Sequence, residues 1–191
     1  VRLFVALQIP DSIRHDYAKL TDDLRHFDAK AAPKKPKWVR PENLHVTLKF
    51  IGQTDPAKLD AICAALAKVR SPQEVHLHFR NIGFFPSAKR PRVIWGGMES
   101  SENLATLAHA VDEQIATLGF PAEERAFAPH LTLARLDPPE IAPELRTAIE
   151  KHLSRDFGEL HTSEFHLIES KLKPSGAEYT TLQSFPFVSK D

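Results

Sequence analysis

The pattern His-x-Thr-Leu occurs twice in this chain, as HVTL at residues 45–48 and as HLTL at residues 130–133. At this composition it is expected roughly 0.06 times by chance, so a second copy asks for a physical reason. Each copy lies in a segment that alternates as a β-strand, and alternate strand residues share a face. His45 and Thr47 therefore point one way and Val46 and Leu48 the other, and His130 and Thr132 stand in the same relation to Leu131 and Leu133. Each strand presents an imidazole and a hydroxyl to a polar cleft while its aliphatic residues hold it in a core. A single histidine on a strand is more often structural than catalytic; the pairing is what argues for chemistry. Two imidazoles titrating near about pH 6.5 can divide labour, one neutral as base and one protonated as acid. Two threonine hydroxyls can donate to the nonbridging oxygens of a phosphate. The set suits phosphodiester cleavage without a metal.

Other chemistries find less support. There is no G-x-S-x-G elbow, and Cys63, among Ala61, Ile62 and Leu66, reads as a small hydrophobe on a helix rather than a nucleophile. A P-loop and a dinucleotide fingerprint are both missing. The segment HLH puts His76 and His78 on one strand face, but no carboxylate or cysteine cluster accompanies them in sequence, so they read as exposed histidines on a half-solvated sheet. His15, His26, His109, His152 and His161 fall on helices or turns and receive the same reading. No metal and no cofactor are expected.

The elements that must position the motifs follow from periodicity. RLFVAL at 2–7 reads as a buried strand, and PDS then starts a helix whose face is Ile13, Tyr17, Leu20, Leu24 and Phe27. LHVTLKFIG at 44–52 is a strand ended by Gly52, and a second helix is expected over 56–69. Strands are expected at 74–79 and 92–98, joined by a hairpin through the 83–91 loop. A third helix begins at Ser101 or Glu102, with Gly119 at its C-cap; the second motif strand is 130–136. A fourth helix is expected over 140–153, and last strands near 163–170 and 179–185. The order strand, helix, loop, motif strand thus occurs over 2–50 and again over 92–136, with the spacing from Phe4 to His45 close to that from Trp95 to His130. Two related α/β halves facing each other would explain it.

Composition bounds the setting. A chain of 191 residues can bury a full core, and one cysteine leaves no disulfide framework, so a reducing, cytoplasmic location is expected. No apolar stretch is long enough to span a bilayer, and VRLFVALQIPD is too short and too soon interrupted for a signal peptide. A formal net charge of zero argues against nonspecific coating of nucleic acid. Two basic concentrations, PKKPKWVR at 33–40 and AKRPR at 88–92, read either as solvated loops or as a phosphate-attracting rim.

These residues resemble the two-histidine phosphoesterase superfamily, and within it the RNA 2',3'-cyclic phosphodiesterases, also called 2',5' RNA ligases. The resemblance runs from RLFVAL through WVRPENLHVTLKFIG and RVIWGGM to FAPHLTLARL, most of the chain. It implies an α+β, bilobal fold over residues 1–191 as a single domain, with two pseudo-symmetric antiparallel sheets and outer helices around a central cleft. It implies metal-independent hydrolysis of RNA 2',3'-cyclic phosphate to a 2'-phosphomonoester, with possible reversible 2',5' ligation. His45 would be the proton donor, His130 the proton acceptor, and Thr47 and Thr132 would hold phosphate oxygens. The partner would be RNA with a cyclic phosphate terminus or a small nucleotide, bound by a monomer, with no membrane. Arg135 matches an arginine used on phosphate, although strict alternation puts it opposite His130, so the strand must end or bulge near Ala134. Lys49 shares the parity of His45 and either lends charge to the substrate or faces solvent. Phe50, Phe127 and Trp38 are read as core or lid packing rather than base-stacking groups. Remaining alternatives are action on small cyclic nucleotides or 2',5'-oligonucleotides, and a nucleotide- or RNA-binding module without turnover.

Overall fold

A computed structural model describes residues 1–28 and 35–188. Pro33 and Lys34 of the first basic concentration lie outside the described residues. The chain runs β1 (Arg2–Gln8), α1 (Asp11–Arg25), β2 (Lys37–Trp38), β3 (His45–Gln53), α2 (Leu59–Leu66), β4 (Val75–Phe85), β5 (Val93–Ser100), α3 (Asn103–Ala116), β6 (Leu131–Arg135), α4 (Pro143–Glu150), β7 (Asp156–Thr162), β8 (Glu164–Lys173) and β9 (Gly176–Pro186).

These strands form a four-stranded sheet of order β3-β1-β8-β9 and a five-stranded sheet of order β2-β6-β5-β4-β7, with every named pairing antiparallel. If the two-residue edge strand β2 is set aside, the sheets superpose as orders. Each motif strand, β3 or β6, lies beside the strand that opens its half, β1 or β5, and a helix joins the two. That is the duplication anticipated from element order. Register refines it, because Ala6 is opposite Thr47 and Trp95 is opposite Thr132, so Ala6 rather than Phe4 is the counterpart of Trp95.

Apolar residues decide how the layers close. On β1, Leu3, Val5 and Leu7 enter the main core, while Phe4 and Ala6 face the other way and form a small cluster with Ile168 and Tyr179. The main cluster is contiguous and draws on both sheets and all four helices. The helices cross between halves: α1 packs against β7 of the second sheet, and α3 packs against β3 of the first. Tyr17 on α1 stacks on Phe157 of β7 with ring centroids 3.9 Å apart. The same ring lies over Gly96, where a Cβ would come within 2.8 Å of the Tyr17 hydroxyl, so this position of β5 has room for no side chain.

Several boundaries move from their expected places. The second helix begins as a 3-10 turn at Pro56–Lys58 and is α-helical only over Leu59–Leu66; the fourth is confined to Pro143–Glu150, with Pro143 in its first turn. The β4–β5 hairpin forms, but its strands extend to Phe85 and Val93, leaving a shorter turn. Strand β7 and the short β2 had no counterpart among the expected elements.

The Tyr17 hydroxyl is buried without a hydrogen-bond partner among the described residues, and burial drives its pKa far upward. Removing it should relieve an unpaid desolvation cost. Tyr17→Phe is expected to raise stability by about 1 kcal/mol in urea unfolding, with an unchanged slope.

Candidate active site

His45 opens β3 directly after a 3-10 turn at Pro41–Asn43. Its Nδ1–H donates to the Asn43 carbonyl at 2.6 Å, which leaves Nε2 as the free nitrogen. Asn43 is fixed in turn, since its side-chain amide donates to the Ala177 carbonyl at 2.8 Å and the neighbouring Arg40 guanidinium donates to the Ser175 carbonyl. The tip of the β8–β9 hairpin thus holds the turn that aims the imidazole. The ring packs on Phe4, centroids 4.7 Å apart, and meets the edge of Tyr179 at 5.3 Å. Burial presses the His45 pKa below the ordinary imidazole value; the Asn43 carbonyl acts the other way, and the charge of His130 adds to the depression.

His130 repeats the arrangement just ahead of β6. Its Nδ1–H donates to the Ala128 carbonyl, again two residues earlier, at 2.9 Å, and Nε2 is free. This imidazole is exposed where His45 is half-buried. Thr47 and Thr132 are half-buried, and neither hydroxyl has a hydrogen bond among the described residues. Strands β3 and β6 are in contact and the charge of His130 reaches His45, so the two motifs share one locus, with two free Nε2 atoms and two uncommitted hydroxyls.

Both strands bulge at the same motif position. Thr47 pairs with Ala6 but Lys49 pairs with Val5, so Leu48 is the extra residue; Thr132 pairs with Trp95 but Ala134 pairs with Ile94, so Leu133 is. After each bulge the alternation is reset. Leu133 and Ala134 are both buried, and Arg135 emerges on the Thr132 side, exposed and without an ion pair among the described residues. Its charge acts on the hydroxyl of Tyr179, whose ring meets His45. The parity objection to Arg135 is thereby removed by a bulge at the expected place. The basic concentrations also meet here: Lys37 and Val93 are the cross-strand partners of Arg135, and Leu136 N–H donates to the Arg92 carbonyl.

The matching bulge on β3 overturns the expectation for Lys49. It is turned into the protein, 7% exposed, ion-paired with Asp112 and donating to the Pro121 carbonyl at 2.7 Å. Asp112 also accepts from the Glu123 N–H, and although burial opposes its charge, the Lys49 ammonium and that N–H hold its carboxyl below the usual range. Lys49 therefore faces neither the cleft nor solvent. Phe50 takes the outward place instead, 61% exposed and 6.0 Å from Phe4, so it is not a core residue. Trp38 is half-buried with Nε1 donating to Asp28, and Phe127 packs against the core, both as read from sequence.

Phe4, Tyr179, Asn43 and Arg40 also surround His45, and the sequence alone does not mark them as site residues. Phe4, Arg40 and Asn43 lie in the segments that carry the resemblance; Tyr179 reaches His45 through a hairpin at the far end of the chain and leaves no local signal.

A family model described as LigT like Phosphoesterase matches the chain over residues 8–95 and 97–179, one motif in each segment. The chain belongs to this family. An RNA 2',3'-cyclic phosphodiesterase of Methanocaldococcus jannaschii is 35% identical over 185 residues, covering 97% of this chain and 100% of the relative. Among solved structures, a Thermus thermophilus protein is similar with a TM-score of 0.77 at 28% identity, with full coverage of both chains. E. coli LigT complexed with 3'-AMP has a TM-score of 0.73 at 28% identity, covering 98% of each chain. The LigT-like family assignment agrees with the two-sheet, two-motif architecture, and no helix among the described residues is long and apolar enough to cross a membrane.

The Lys49–Asp112 pair makes a prediction that separates structure from substrate binding. Lys49→Met leaves a buried carboxylate uncompensated and should cost about 3–5 kcal/mol of stability, most of it recovered in Lys49→Met/Asp112→Leu. Because the folded pKa of Asp112 is depressed, its contribution is present above the unfolded carboxylate value and is lost as pH falls through the folded one. Urea unfolding of both variants at pH 7 checks the pair, and a KM change without a stability change would contradict it.

Proposed function

We propose that the protein hydrolyses 2',3'-cyclic phosphate at RNA ends to a 2'-phosphomonoester by metal-independent acid–base catalysis. The observation that carries this reading is the matched pair of imidazoles, each tethered through Nδ1 to the carbonyl two residues before it and each with Nε2 free. His130 Nε2 accepts a proton from water as the water oxygen attacks phosphorus. The bond from phosphorus to the 3' oxygen breaks, and His45 Nε2–H gives that oxygen its proton, leaving a free 3'-hydroxyl and a 2'-phosphate. Thr47 and Thr132 donate to the nonbridging oxygens, and Arg135 offsets the charge that grows on them. A 5'-hydroxyl of a second RNA in place of water would give a 2',5' linkage by the same proton transfers.

Further support comes from three directions. The M. jannaschii relative carries the name of this activity, and a structural neighbour holds 3'-AMP. Lys37, Arg92 and Arg135 gather at one end of β6, a rim suited to the backbone of a short RNA. Phe50, exposed beside Phe4, offers a ring face to a base. Both histidines belong to one chain and one contiguous core joins the sheets, which supports a monomer acting as a single bilobal domain over 1–191.

The reading is tested with a short RNA bearing a terminal 2',3'-cyclic phosphate, incubated in chelator, with 2'- and 3'-phosphate products resolved. Conversion to the 2'-phosphate is expected, falling by about 10² to 10⁴-fold in His45→Ala and in His130→Ala. Turnover that is abolished by chelator, or indifferent to both substitutions, would overturn it.

The pH profile adds a second test. In the free protein the His45 pKa is depressed, so the limb of kcat/KM that belongs to it should lie below about pH 6.5. A bound phosphodiester anion favours the imidazolium, so the corresponding limb of kcat should lie at higher pH. Tyr179→Ala, which uncovers the ring, should move the kcat/KM limb upward as well. Limbs that coincide and do not respond to Tyr179→Ala would show that His45 is not the proton donor.

A further inference from the structure

The sequence puts His76 and His78 on one strand face with no carboxylate beside them and reads both as exposed, and the fold changes that reading. His78 is already committed, its Nε2 2.6 Å from the Asp156 carboxylate and its Nδ1 3.9 Å from Glu99. His76 is instead directly opposite His161, on the neighbouring strand β7, and the two rings stack with centroids 4.2 Å apart and planes 10° from parallel. Glu159, two residues before His161 and so on the same face of β7, places its Oε2 3.2 Å from His76 Nε2 and 4.0 Å from His161 Nε2. The three donor atoms lie within 4.8 Å of one another. His76 Nε2 is closed off from solvent and has no partner in hydrogen-bonding geometry among the described residues, although Glu159 is near. A buried ring nitrogen left unbonded is a costly arrangement that a metal ion would relieve.

We infer that His76, Glu159 and His161 form a binding site for a divalent transition metal of the zinc type, separate from the catalytic cleft. Two imidazoles and one carboxylate are a donor set that Zn²⁺ takes readily, with water in the remaining position. Donors on a tetrahedral zinc stand about 3.3 Å apart, so the present separations close by rotation of side chains that are half-exposed, the two rings splaying from their stack. The site opens on a hollow of about 520 Å³ whose wall also includes Glu74, Ser101 and Glu102, which leaves room for the water and further oxygen donors. It is remote from the reaction. The register runs from Thr132 across Trp95 to Gly83, and from there back along β4 to His76 is about 20 Å of strand. Its position across β4 and the edge strand β7 gives a bound ion a structural task, to clamp the edge of the second sheet.

The test is titration of the full chain with Zn²⁺ by calorimetry, with Tm read in parallel. The catalytic pair is itself a possible zinc trap, so the titration is repeated in His45→Ala/His130→Ala. One binding event is expected to survive in that double variant and to weaken about tenfold or more in His161→Ala and in Glu159→Gln. In the His45→Ala/His130→Ala background zinc should raise Tm, and adding His161→Ala, whose exposed edge-strand position allows it to fold, should abolish that rise. Phosphodiester turnover of His161→Ala should equal that of wild type. Binding that persists undiminished in His161→Ala and Glu159→Gln, binding that disappears in His45→Ala/His130→Ala, or no change in Tm at roughly a hundredfold excess of zinc would overturn the assignment.

Discussion

A strand that offers a histidine and a threonine to a wet cleft must still bury its aliphatic residues, and simple alternation meets both demands for only a few positions. In this protein each motif strand meets them with one added residue. The bulges at Leu48 and Leu133 let two consecutive residues enter the core, Leu48 with Lys49 and Leu133 with Ala134, and return the next to the cleft. The facing of every residue that follows the threonines on the two motif strands depends on that reset. Without it Arg135 would be driven into the core and Lys49 would lie in the cleft.

The bulge also gives Lys49 its role in joining the halves. An ammonium turned into a core needs a counter-charge, and Asp112 on α3 supplies it because α3 crosses from the second half to pack on β3. The Lys49 ammonium and the Asp112 carboxylate then hold Pro121 and Glu123, at the start of the segment that leads to His130. One buried ion pair thus links the strand of the first histidine to the approach of the second. The other crossing helix, α1, is held by Tyr17 on Phe157 and over Gly96. The sheets are positioned by each other's helices, so the two histidines are set by a shared core rather than by two independent ones.

How much of this could be read from sequence follows the same physics. The histidines and threonines were legible because the motif repeats and strand parity holds over three residues. Parity counted through a bulge fails, which is why Lys49 was assigned to the wrong face; for Arg135 the conflict between parity and resemblance was itself the sign of the bulge. Strand β7 was missed because DFGELHT carries Asp156, Gly158 and His161, residues that read as turn or solvent, and its pairing with β4 is long-range. With β7 unseen, Glu159 could not be set beside His76. Tyr179 was illegible for the same reason: its place against His45 is decided by the β1–β8–β9 pairings, which no local pattern encodes.

The duplicated halves are most informative where they differ. At the first outward position after each bulge, the first half has Phe50 and the second Arg135. The surroundings differ in step. His45 is packed between Phe4 and Tyr179 with a depressed pKa, whereas His130 stands exposed at the start of β6. A symmetric cleft would present two equivalent imidazoles to a phosphate and could not tell the attacking side from the departing side. On the proposed reading, an apolar wall around His45 suits the nucleoside whose 3' oxygen leaves, and the open surroundings of His130 admit water. The direction of proton flow would then be set by what surrounds each histidine, since the tethers that aim the two rings are the same.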